Sequence, residues 1–128
     1  MCRDLRILIV DDSDVTRRIL NMVVRSRRWT VCGEAEDGWS AVKKFQEVMP
    51  DLVLLDLAMP DMNGIEAARL LSAIDSGVPI IMLTALNLGG LERAARNAGV
   101  CAVVSKGECW TLVRNIETAI ARSPRSIQ

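Results

Sequence analysis

Leu52-Val53-Leu54-Leu55-Asp56 is an unbroken apolar run that ends on a carboxylate, and three other apolar runs likewise lead to polar residues. Ile7-Leu8-Ile9-Val10 leads to Asp11 and Asp12, Ile80-Ile81-Met82-Leu83 to Thr84, and Val103-Val104-Ser105 to Lys106. A strand covered on both faces is apolar throughout rather than alternating, and sheets of such strands are parallel, with helices on both sides. Ligands bind them in the crevice beyond the carboxyl ends of the strands. Asp11, Asp12, Asp56, Thr84 and Lys106 are therefore expected to converge.

Between the runs lie amphipathic segments, so the chain reads as a βα unit repeated five times. Ser13 or Asp14 can cap a first helix that carries Val15, Ile19, Met22 and Val23 at helical spacing and ends near Arg27. Residues 30–34 form a shorter, more polar strand suited to a sheet edge. Gly38 opens a second helix with Ala41, Val42, Phe45 and Val48 inward, and Met49-Pro50-Asp51 breaks it. The turn-rich Met59-Pro60-Asp61-Met62-Asn63-Gly64 leads into a helix over 65–74, with Met59 and Met62 read as loop packing. Gly77-Val78-Pro79 introduces strand four, and a helix over 91–98 closes on Gly99. Strand five is 101–105, and a last helix runs from about 108 to 121 with Leu112, Val113, Ile116 and Ile120 inward. Right-handed crossovers then favour a doubly wound, flavodoxin-like (βα)5 sheet of order 2-1-3-4-5. Its switch point lies between strands one and three, flanked by Asp11, Asp12 and Asp56.

The 128 residues fit one domain over 1–128, with a core of about 5–121 and a tail at 122–128. Sixteen basic residues balance sixteen acidic ones, which removes the footprint of a nucleic-acid or membrane-surface binder. The basic cluster Arg25, Arg27 and Arg28 reads as a solvated helix end. Cys2, Cys32, Cys101 and Cys109 have no metal-ligand spacing and read as reduced thiols, which with no signal core and no membrane span points to the cytoplasm. Histidine is absent, so Ser-His or Cys-His catalysis and histidine-ligated metal are excluded. Chemistry must rest on carboxylates, a hydroxyl and a lysine.

Crowded carboxylates repel one another and call for a cation. Hard oxygen ligands with no nitrogen or sulfur nearby suit Mg²⁺ or Mn²⁺. With that charge in place, one carboxylate can act as nucleophile toward a phosphoryl group, while lysine and hydroxyl stabilise its oxygens. Asp56, alone at its strand end, is the nucleophile candidate; Asp11 and Asp12 are suited to sharing the cation. Lys106 supplies charge, Thr84 a donor, and Ala85 leaves room for phosphorus.

Over roughly residues 5–121 the chain resembles the receiver domain of two-component response regulators. The resemblance rests on Ile9-Val10-Asp11-Asp12-Ser13, Leu54-Leu55-Asp56 through Asn63-Gly64, Leu83-Thr84-Ala85, Ala98-Gly99 and Ser105-Lys106, in order and spacing. It implies that Asp56 accepts a phosphoryl group from a phosphohistidine of a sensor histidine kinase or histidine phosphotransfer protein. It also implies that Asp12, Asp56 and the Ala58 carbonyl bind Mg²⁺ directly, and Asp11 usually through water. The surface of helix four, strand five and helix five would pass the change to a downstream protein or fused output domain. A stand-alone receiver and a piece of a longer regulator both fit the sequence.

Three departures bear on output. The strand-five aromatic that reports phosphorylation in the family is Val103, and the proline after the lysine is Gly107. A non-proline cis bond costs about 2.5–4 kcal/mol, so a trans Lys106-Gly107 or a remodelled loop is expected. Asn87-Leu88-Gly89-Gly90 should loosen the start of helix four, and Ala58 and Leu86 bear on the lifetime of the phosphoryl group. Trp110 reads as a partner-facing anchor or as plain packing. The alternatives are a receiver that works by protein interaction without phosphorylation, and a haloacid-dehalogenase-like phosphatase using Asp12-Ser13-Asp14-Val15-Thr16. A flavin module fits the sheet order, but Asp11-Asp12-Ser13-Asp14 would repel its phosphate.

Overall fold

The computed structural model describes residues 4–85 and 89–123. Five parallel strands, β1 (Arg6–Val10), β2 (Thr30–Ala35), β3 (Leu52–Asp56), β4 (Ile80–Thr84) and β5 (Val100–Ser105), lie in the order β2-β1-β3-β4-β5. Five helices connect and follow them: α1 (Asp14–Ser26), α2 (Gly38–Val48), α3 (Gly64–Ile74), α4 (Leu91–Asn97) and α5 (Leu112–Arg122). This is the flavodoxin-like arrangement expected from the run pattern.

Both faces of the sheet are covered, which is why its central strands carry no polar alternation. Leu8, Val10, Val53, Leu55 and Met82 face a core shared with Phe45 of α2, Leu71 of α3 and Ala95 of α4. Ile7, Ile9, Leu52, Leu54, Ile81 and Leu83 face the other way, toward Leu20 and Val24 of α1 and Leu112 and Ile116 of α5. The two edge strands, β2 and β5, open partly to water, and β2 is the more polar of them.

Register decides what meets at the carboxyl ends. Val10 pairs with Leu55, Asp56 with Leu83, and Thr84 with Ser105, so the residues just past these pairs leave the sheet side by side. The crevice follows from register alone.

Two details differ from the sequence expectation. In α1 the inward residues are Leu20 and Val24, while Val15 is 63% exposed, Ile19 45% and Met22 72%. The apolar arc of this helix is wider than one face. Arg17 settles its rotation by donating inward to the Asp11 carbonyl at 2.5 Å and to Glu34 at 3.1 Å. The last helix starts at Leu112, after a 3-10 segment Lys106–Thr111 that is irregular at Glu108. There Ser105 Oγ accepts the Gly107 N–H, and the Thr111 hydroxyl donates to the Glu108 carbonyl instead of capping α5. No described peptide bond is cis, so the loop is both trans and remodelled. Trp110, within that segment, is 75% exposed and is not core packing.

Gly90, the residue before α4, is in a left-handed conformation and gives the helix no side-chain cap. Leu86, Asn87 and Leu88 lie outside the described residues.

Candidate functional site

Asp11 stands one residue past β1, fully buried, with its N–H on the Ala35 carbonyl at 3.0 Å. Its Oδ1 accepts the Ser13 N–H at 2.8 Å, and Ser13 Oγ in turn accepts the Thr16 N–H to cap α1. Asp11 is thereby fixed by the strand, the helix start and the Arg17 clasp, a charge-assisted contact. Asp12, next to it, is exposed at the rim.

Asp56 ends β3 and is buried. The chain turns sharply after it. Gly64 packs back so closely that a Cβ there would lie 2.4 Å from the Asp56 carbonyl oxygen, so only glycine fits. Lys106, the first residue past β5, extends across the crevice: its Nζ is 3.0 Å from Asp56 Oδ1 and 2.8 Å from Asp11 Oδ2. Thr84 is buried at the end of β4, beside exposed Ala85. All five expected residues meet at one end of the sheet.

Burial pushes the Asp56 carboxyl above its ordinary range. Lys106 and the Ala58 N–H draw it back, and Asp11 adds to the rise. Burial also works to lower Lys106, but its bonds to Asp11 and Asp56 outweigh it and leave the ammonium above its usual value. Two buried carboxylates therefore share one firmly held ammonium, with Asp12 at the rim beside them.

The donor set fits a divalent cation. One oxygen from each of Asp11, Asp12 and Asp56 lies within 4.8 Å of the others. Asp11, Asp12 and Asp56 would hold such an ion together with its bound waters, since Mg²⁺ is usually bound by one or two carboxylates and keeps several waters. Asp11 Oδ2 is buried and is met by the Lys106 ammonium at 2.8 Å, and a carboxylate oxygen with one such partner keeps a lone pair for a further cation. A 2+ ion also balances the charge left after the lysine has met one carboxylate.

Two residues near the site had no weight in the sequence reading. Arg17 was legible only as one more basic residue of α1. Asp61 was a turn residue, yet its carboxylate accepts the Gly38 and Trp39 amides at the start of α2. By contrast, Asp14, which a phosphatase would need in the crevice, lies on α1 paired with Arg17 and is 75% exposed.

The response regulator receiver domain model matches residues 7–116. Chemotaxis protein CheY of Listeria monocytogenes is 41% identical over 87 residues, which cover 68% of this chain and 73% of that protein. Among solved structures, the response regulator domain of Thermotoga maritima CheB superposes with a TM-score of 0.87 at 30% identity, covering 95% of this chain and 100% of that one. The CheX-CheY-BeF3-Mg complex of Borrelia burgdorferi gives a TM-score of 0.85 at 27% identity, covering 89% and 87%. No described helix is long and apolar enough to cross a membrane.

Proposed function

From the premise that this chain belongs to the response regulator receiver domain family, we propose that it is a phosphoacceptor switch charged at Asp56 by a phosphohistidine of a partner protein. The donor is a sensor histidine kinase or a histidine phosphotransfer protein, and the setting is the cytoplasm. The chain acts as one domain that promotes its own phosphorylation and dephosphorylation rather than as an enzyme on a separate substrate.

An Asp56 oxygen attacks phosphorus, forming the O–P bond as the N–P bond of the phosphohistidine breaks and its electron pair returns to the imidazole. Lys106, already 3.0 Å from Asp56, then lies where an oxygen of the new phosphoryl group needs positive charge. Thr84 offers its hydroxyl to another oxygen, and Ala85 keeps the approach open. Mg²⁺, or Mn²⁺ in its place, is the group that Asp11, Asp12, Asp56 and the Ala58 carbonyl would hold, and when bound it supplies charge to the phosphoryl oxygens. Arg17 and Ser13 keep Asp11 in place throughout.

The donor needs a surface beside the crevice. Val15, Ile19 and Met22 recur at helical spacing on α1 and are open to solvent, directly after Asp11-Asp12-Ser13. The output surface is α4, β5 and α5. Without an aromatic on β5, the change would travel through Lys106 into the 3-10 segment that bears Trp110.

The observation that carries this reading is the placement of Lys106 between Asp11 and Asp56, with Asp12 in reach. Intact mass after incubation with acetyl phosphate, with Mg²⁺ or EDTA, beside Asp56→Asn, tests it. A gain of one phosphoryl group requiring both Mg²⁺ and Asp56 supports the switch. No gain favours the second reading, a phosphorylation-independent interaction module, for which Val103 and the remodelled Gly107 turn are the motivation.

A further inference from the structure

The loop that follows Asp56 is held at three points. It leaves β3 with the Leu57 N–H on the Leu83 carbonyl at 2.9 Å, and it closes through the Gly64 N–H on the Leu57 carbonyl at 2.7 Å. Its tip reaches a different element. Asp61 accepts the Gly38 N–H on one carboxylate oxygen at 2.8 Å and the Trp39 N–H on the other at 2.9 Å. These are the first amides of α2, unpaired within the helix and at the positive end of its dipole. Met62 presses on the same spot: a Cβ added to Gly38 would lie 2.3 Å from Met62 Cγ.

α2 already has a complete cap of its own. Asp37 accepts the Ser40 N–H at 2.8 Å, and Ser40 Oγ accepts the Asp37 N–H at 3.3 Å. A helix start capped in this way does not need a second carboxylate from a distant loop in order to form. What the second carboxylate fixes is the loop. The same two amides hold the Asp61 carboxyl below its ordinary range although the residue is exposed.

On the functional reading above, we propose that Asp61 is a positioning residue for the Asp56 site, pinning the loop tip to α2 and thereby setting where the Ala58 peptide stands relative to the Asp56 carboxylate. The lever is short and stiff. Asp61 follows Ala58 by three residues, and Pro60 between them has a fixed φ. Asp61 itself touches none of the reacting atoms.

The test compares Asp61→Ala with Asp37→Ala in the full chain, by amide exchange of Gly64 without metal and by calorimetric Mg²⁺ affinity. Asp61→Ala should speed Gly64 exchange and weaken Mg²⁺ binding at least fivefold, while Asp37→Ala lowers thermal stability yet leaves Mg²⁺ affinity within twofold. Asp61→Asn keeps one acceptor oxygen, so its affinity should fall between, and it carries the comparison if Asp61→Ala does not fold. Wild-type Mg²⁺ affinity in the Asp61 variants, or an equal loss in Asp37→Ala, would overturn the positioning role. Loss of both readouts in a chain that gains no phosphoryl group would remove the phosphoacceptor reading and leave the positioning role standing.

Discussion

Lys106 Nζ lies 3.0 Å from Asp56 Oδ1, and the same ammonium is 2.8 Å from Asp11 Oδ2. Asp56 is buried with a raised pKa, so the folded state holds its proton more tightly than the unfolded chain does. Protonation therefore favours folding: this contribution is full below the unfolded carboxylate range and is lost as pH rises through the folded pKa. At neutral pH the ionised Asp56 works against stability. Asp56→Asn should then raise the melting temperature by a few degrees in EDTA, roughly 1 kcal/mol. Lys106 keeps Asp11 as a partner in that variant. The gain should shrink as pH is lowered toward 4 and as Mg²⁺ is added. A melting curve series over pH, with and without Mg²⁺, checks all three, and a lower melting point in Asp56→Asn would contradict the repulsion argument.

Removing the lysine has the opposite sign. Lys106→Met leaves Asp11 and Asp56 in the crevice with no ammonium, and breaking a buried pair from one side costs about 3–5 kcal/mol. The Lys106 side chain is 23% exposed, which puts the expected loss near the bottom of that range. Saturating Mg²⁺ should restore most of it. Urea unfolding of the variant in EDTA and in Mg²⁺ measures both numbers, and equal stability in the two conditions would remove the shared-cation argument.

The fold was legible because its central strands are buried on two faces, and burial on both sides is what makes a short strand apolar at every position. The site was legible for the same reason: Asp11, Asp56, Thr84 and Lys106 end or follow those runs, and parallel register brings run ends together. Helix rotation was not. In α1, Val15, Ile19 and Met22 form as regular a stripe as Leu20 and Val24 with Val23, and what decides between them is Arg17 reaching back to the Asp11 carbonyl. The start of α5 was missed because Gly107 and Thr111 make local bonds that a helix pattern cannot anticipate. Asp61 looked like any turn residue, since its partners are more than twenty positions away.

Glycines beside the site should separate by their surroundings. Gly64→Ala places a Cβ 2.4 Å from the Asp56 carbonyl oxygen, a backbone atom that cannot step aside. A loss of roughly 2–3 kcal/mol is expected, with weaker Mg²⁺ binding as Asp56 shifts. Gly107→Ala meets nothing nearer than Ser105 Oγ at 3.6 Å, and Gly107 is not among the described glycines with positive φ. Stabilisation of about 0.4–1 kcal/mol is expected there, through the unfolded chain. Urea midpoints of the two variants that move in the same direction would refute this contrast.

The exposed stripe of α1 separates docking from chemistry. Ile19 and Met22 are 45% and 72% exposed, and neither belongs to the core packed beneath α1, so Ile19→Glu and Met22→Glu should change stability by less than about 0.5 kcal/mol. Acetyl phosphate needs only the crevice, and its reaction should stay within twofold of wild type. A phosphorylated histidine phosphotransfer domain must also dock, and burying a carboxylate in an apolar contact opposes that. Transfer from such a donor should slow at least tenfold, about 1.4 kcal/mol. Equal slowing with both donors would place the damage in the crevice, and no slowing with either would move the docking face away from α1.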